Sequence, residues 1–177
     1  RSGYEHFPKD GNNAYVIAQF FPRMAVYNDV EGWQNHQFWG SGEFALPFGN
    51  YEVNITIPSD HILDGTGVLQ NPKEVLTDDM YDRYEKAKKS YNKPVFIVTE
   101  AEARENEKGH STDKKTWTLK AENVRDFAFT TSRKYIWEQQ AVKMTNGKTV
   151  MAVSIYSKEG NPLWEEYSTK AVVQTLK

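Results

Sequence analysis

Apolar and polar residues alternate most regularly in NYEVNITIP, where Tyr51, Val53, Ile55 and Ile57 share one face and Glu52, Asn54 and Thr56 the other. A period of two describes a strand with one dry side and one wet side. Pro58 closes it. TWTLKAENV alternates in the same way and turns Trp117, Leu119 and Ala121 inward. PVFIVTE reads as a further strand, and ENVRDFAFTTSRKYIW follows with Phe127 and Phe129 on one face. AYVIAQFFPRMAVY is a long apolar run rich in β-formers. Pro22 interrupts it, which predicts an edge or a bend rather than a central strand. ILDGTGVLQNP predicts a short strand around Gly65 and Gly67. KYIWEQQAVKMT and KTVMAVSIYS flank Asn146-Gly147, and Asn-Gly between two β-rich runs signals a hairpin because both turn positions favour positive φ.

One segment carries the helical period. In LTDDMYDRYEKAKKSYN, residues Leu76, Met80, Tyr84, Ala87 and Tyr91 recur at spacings of three and four and form one apolar stripe. Asp78, Asp79 and Asp82 load its start and Lys86, Lys88 and Lys89 its end, both complementing the helix dipole. Pro94 is the expected stop. AEARENEKGHSTDKK predicts a short helix and then a loop. STKAVVQTLK reads as the first turns of a helix capped by Ser168, with an apolar face of Val172, Val173 and Leu176 and nothing after it to pack on. The pattern as a whole predicts a mainly β chain. Its expected form is an antiparallel β-sandwich or saddle-like sheet with one inserted amphipathic helix. The expected division is a β-sheet domain over residues 1–167, cut at its start, and a truncated helix over 168–177.

Composition narrows the function classes. A length of 177 residues suits one domain. Lys and Arg number 22 against 24 Asp and Glu, so the chain lacks the basic excess of a nucleic-acid-binding face. There is no cysteine, which removes disulfides, thiolate nucleophiles and zinc–cysteine sites. No apolar run reaches the ~20 residues that span a bilayer, and no signal peptide is visible. An opening at Arg1 rather than Met reads as processing or a cut.

No local cluster points to catalysis or to a cofactor. His6, His36, His61 and His110 are too far apart for a zinc motif such as H-E-x-x-H. Ser41, in WGSGEF, lies between two glycines without the nucleophile-elbow pattern, and Ser132 has no histidine near it in sequence. Of the paired carboxylates, Asp78-Asp79 favours a helix start, where acids belong, and Glu165-Glu166 sits just before an expected helix. The GTG at Gly65–Gly67 lacks the flanks of a phosphate loop. Trp33, Phe38, Trp39 and Tyr51 could line a sugar or peptide platform or fill a core. The residues therefore assign no catalytic, cofactor-binding or metal position.

Four ordered segments resemble one family. AQFFPRMAVYNDVEGW, FWGSGEFALPFGNYEVNITIP, TGVLQNPKEVL and NVRDFAFTTSRKYIW are similar to the amino-terminal domain of aminopeptidase-N-like zinc metallopeptidases, peptidase family M-one, in a bacterial branch. The likeness runs from about Tyr15 to Trp137 and more weakly to Lys177. It implies a β-saddle against a thermolysin-like catalytic domain that carries H-E-x-x-H, a distant glutamate ligand and a Gly-x-Met-Glu-Asn motif. This chain contains neither motif. The implied function is a non-catalytic domain, itself inactive, that walls the active-site cleft and helps to position peptide substrate. Its implied partners are its own catalytic domain and peptide, with zinc in the parent enzyme and no cofactor in this fragment. An exported bacterial protein is implied, with a cytoplasmic one left open. Upstream strands of the domain are expected to be missing. Many members contact the substrate's amino terminus with a glutamine upstream of Phe-Pro. Here Asn12 or Asn13 stands where that glutamine would be and Gln19 lies closer to Pro22 than expected, and the role is assigned to none of them. Phe127, Phe129, Tyr135, Ile136 and Trp137 read as scaffold, and Asp126, Arg133 and Lys134 as surface or inter-domain contacts. The rival reading is a free-standing β-sandwich module that binds glycan or peptide.

Overall fold

A computed structural model describes residues 3–37 and 45–176. In chain order its first half runs β1 (Gly3–Phe7), β2 (Asn12–Ala18), β3 (Tyr27–Asn28), β4 (Gly32–Trp33), β5 (Gly49–Pro58), β6 (Ile62–Gly65), β7 (Val68–Leu69), α1 (Pro72–Val75) and α2 (Asp78–Ala87). The second half runs β8 (Val95–Val98), α3 (Glu100–Asn106), β9 (Lys114–Val124), β10 (Ala128–Ser132), β11 (Tyr135–Lys143), β12 (Thr149–Ser157) and α4 (Leu163–Leu176). Strands hold 42% of the chain against 23% for helices, so the fold is mainly β. The sheets are β1-β2-β10-β6, β12-β11-β8 and β5-β9-β7, beside a β3-β4 ribbon, with every strand pair antiparallel.

The alternating segments pair as their pattern requires. Val53 lies opposite Leu119 and Ile55 opposite Trp117, with Ile55, Trp117 and Leu119 all buried. On the wet face the Thr56 and Thr116 hydroxyls lie 2.9 Å apart and Lys120 reaches Glu52 at 3.0 Å. Such cross-strand pairs are the unit of sheet stability. β11 is buried from Tyr135 to Val142, as befits a central strand covered on both faces. Trp137 stands against Trp117 and Tyr84, with ring centroids 6.4 and 5.9 Å away, and Val142 packs with Val173 of α4.

The hairpin between β11 and β12 forms with a different turn. Gly147 alone takes positive φ, at 82°. Its N–H donates to the Met144 carbonyl at 2.9 Å, and the Met144 N–H to Lys148 at 2.8 Å. A three-residue loop of this kind needs the left-handed conformation only at its last position.

Three expectations about helices change. The amphipathic helix is present as α2, and four α-helices occur among the described residues, the short α1 being one that the pattern did not predict. α2 starts as predicted, with the Thr77 hydroxyl accepting from the Met80 N–H, but it ends at Ala87 rather than at Pro94. The Ser90 carbonyl accepts the Ala141 N–H at 3.0 Å, which pins the following segment to β11 and leaves Tyr91 exposed. α4 begins at Leu163, so the predicted boundary at 167/168 falls within it and Ser168 is no cap. Pro162 stands just before its first turn, where a missing N–H costs nothing. Its apolar face is covered: Val173 packs on Val142 and Ala152, and α4 lies along β11 and β12.

Candidate functional site

The histidines do not converge. His6 Nδ1 lies 2.8 Å from Asn13 Oδ1, and His36 and His110 are exposed. His61 is buried, with Nδ1 3.1 Å from Thr131 Oγ1. Burial, then the nearby Arg133 charge, holds its pKa down at about 4. Among the described residues no three His, Asp or Glu side chains form a group able to hold a metal ion.

The remaining candidates go to structural uses. The buried Ser132 hydroxyl donates to the Asn13 carbonyl at 2.8 Å and accepts the Lys134 N–H at 3.1 Å. Ser41, Phe38 and Trp39 lie outside the described residues. Asp78-Asp79 and Glu165-Glu166 occupy the first turns of α2 and α4. The GTG segment links β6 to β7, with Gly67 at φ +106° and a Cβ there only 2.3 Å from the Lys120 carbonyl oxygen. Trp33 stacks edge-on against Tyr27, and Tyr51 against Phe21, so these contacts do not join the two into one platform. Asn12 is buried and donates to the Glu107 carbonyl, Asn13 donates to Tyr15, and exposed Gln19 sits at φ 53°.

Lys134 is not a surface residue. Its side chain is fully buried, with Nζ bound to Asp10, 2.9 Å from Glu159 and 3.3 Å from Glu107, and 4.5 Å above the Phe7 ring centre. Lys158 binds the same Glu107 and Glu159. Burial alone would lower the Lys134 pKa, but these carboxylates raise it well above the usual range. The cluster ties the β1–β2 turn, the end of α3 and the segment after β12 to the start of β11. Arg133 is likewise largely covered and grips Asp60 at 2.8 Å, while Asp126 pairs with Arg23 at 3.3 Å. The correction has a simple origin: the partners of Lys134 come from positions 10, 107 and 159, which no local pattern connects.

Two concave regions stand out. A groove of about 640 Å³ runs between the β1–β2 hairpin and the start of α4, lined by Tyr4, Phe7, Val16, Tyr135, Tyr156 and Trp164. Tyr4 is 69% exposed, Val16 52% and Trp164 48%. Trp164 meets Tyr156 edge-on at 6.1 Å and lies over Gly160, where a Cβ would come within 2.5 Å of its ring. Leu163 and Tyr167 extend the same apolar surface along α4.

The second is a cavity of about 360 Å³ between the sheets that contain β9 and β11, lined by Asp64, Tyr84, Trp117, Trp137, Gln139 and Met151. Among the described residues the Asp64 carboxyl hydrogen bonds only the Gly65 backbone, and burial raises its pKa to about 6. The indole N–H groups of Trp117 and Trp137 are buried and find no acceptor among the described residues. Sequence reasoning missed this site. Its one local signal is Asp64 itself, a lone carboxylate inside the apolar HILDGTG run. No family model, curated protein or solved structure matches this chain.

Proposed function

We propose that this chain is a non-catalytic β-domain of a zinc-dependent aminopeptidase-like metallopeptidase, walling the active-site cleft and helping to position peptide substrate. The ordered resemblance supports the family. The observation that carries the reading in the structure is the exposed aromatic groove around Tyr4, Val16 and Trp164, continued by Leu163 and Tyr167 on α4. Contiguous apolar surface of this kind marks a protein–protein contact, and a catalytic domain packed there would cover it. Among the described residues no three His, Asp or Glu side chains gather to hold a metal ion; in this reading the zinc is held by the proposed catalytic domain, and no step is routed through this chain. Its contribution is shape: the Lys134 cluster and the core around Trp117 and Trp137 hold the groove's walls in place.

The test is the native polypeptide, captured from its source by an antibody against this chain. The expected product is far heavier than 20.4 kDa, contains zinc and hydrolyses aminoacyl anilides. A native product of 20.4 kDa without zinc or peptidase activity would overturn the proposal. Of the residues read as a glycan- or peptide-binding platform, the described Trp33 and Tyr51 stack on different partners.

A further inference from the structure

We propose that the cavity between β9 and β11 is a binding site for an amino-acid-like ligand: an α-ammonium beside a carbonyl or carboxylate, with an apolar side chain. This inference is independent of the domain assignment. It starts from what the cavity leaves unpaired. Buried polar groups in folded proteins nearly always have partners, and each exception needs an explanation. Here the exceptions gather. Trp117 and Trp137 are each 1% exposed, both line the cavity, and neither indole N–H finds an acceptor among the described residues. Asp64 lines the same cavity, remains partly accessible, and has no side-chain partner among the described residues. Gln139 adds a buried amide that makes no side-chain hydrogen bond to the described residues.

These groups define the ligand by complementarity. Asp64 accepts, and an ionised carboxylate without a counter-ion favours a cationic donor. The indoles only donate, so they require an oxygen acceptor. Leu63, Leu119 and Met151 supply apolar wall. The rings of Tyr84, Trp137 and Trp117 stand tilted, at 57° and 51° between neighbours, as sides of a box rather than a flat stack. A pocket of mainly apolar lining with a few convergent polar groups is the usual form of a small-molecule site. One molecule that meets all three demands carries an ammonium, a carbonyl oxygen and an aliphatic or aromatic side chain.

The experiment follows the indole ¹⁵N–H resonances of the 177-residue chain during titration with L-leucine, L-leucine amide and leucyl-glycyl-glycine. Isoamylamine, which lacks the carboxyl group of leucine, and N-acetyl-leucine, which lacks the ammonium, are the controls. The expected result is saturable shifts at Trp117 and Trp137, with both controls at least about tenfold weaker, the factor a hydrogen bond to a charged group carries. Leucyl-glycyl-glycine separates the two sources of this chemistry, binding as leucine amide does if a peptide amino terminus fits and weakly if only a free amino acid does. Asp64→Asn is expected to lose the same factor without any loss of thermal stability. No saturable shift with any ligand would overturn the proposal, and so would controls that bind as well as leucine. The ligand comparison decides the matter on the wild-type chain whether or not the variant folds.

Discussion

Asp64 and His61 stand three positions apart and titrate in opposite senses. Burial makes the Asp64 carboxyl harder to ionise in the folded chain, moving it from 3.8 to about 6. Folding therefore takes up a proton in that range, and stability is lost as pH rises through it. Burial and Arg133 make His61 harder to protonate, moving it from 6.5 to about 4 despite the opposing charge of Asp60. Its contribution is present above pH 6.5 and is lost as pH falls. Each shift corresponds to no more than about 3 kcal/mol, so in the wild type the two largely cancel between pH 4 and 6. Urea denaturation of single variants separates them. Asp64→Asn gains stability over wild type at pH 7 and loses that gain near pH 4. His61→Gln behaves the other way round. Lys134 is the costlier residue to lose. Lys134→Met leaves Asp10, Glu107 and Glu159 facing one another, and removing one partner from a buried ionic cluster costs about 3–5 kcal/mol. The partial exposure of Glu159 and Asp10 places the expected loss at the lower end, read from the same denaturation curves.

At the scale of elements, Gly67 sets how β7 meets β9. Its φ of +106°, with the Lys120 carbonyl oxygen 2.3 Å from where a Cβ would stand, leaves no room for a side chain. Gly67→Ala is expected to cost about 1–3 kcal/mol and to speed amide exchange in β7 before the rest of its sheet; unchanged exchange would contradict this. Much of the fold was legible. The period of two in β5 and β9 identified their inward residues because one face of each is dry. Asn-Gly placed the β11–β12 hairpin, although Gly147 alone supplies the positive φ. The start of α4 was not legible, because Ser168 resembles a cap while the true start depends on Pro162 and on Trp164 lying over Gly160. The cavity was hidden for another reason: Asp64, Trp117 and Trp137 come from three different sheets, and only the fold brings them together.

At the scale of the molecule, the chain joins three antiparallel sheets through one core and leaves an aromatic groove open at the foot of α4. If that groove is a docking face, its outermost residues matter little to the isolated chain. Tyr4→Ser and Leu163→Ser, at 69% and 60% exposed positions, should change its stability by no more than about 0.5 kcal/mol. In the longer polypeptide that the proposal requires, the same changes should lower the melting temperature, as scanning calorimetry of both forms would show. The central claim is that this chain supplies shape to a zinc enzyme whose reactive groups lie elsewhere. Zinc retained by the isolated 177-residue chain after equilibrium dialysis tests it most directly. The account predicts far less than one ion per chain and no hydrolysis of aminoacyl anilides; one tightly held ion per chain, accompanied by turnover, would contradict it.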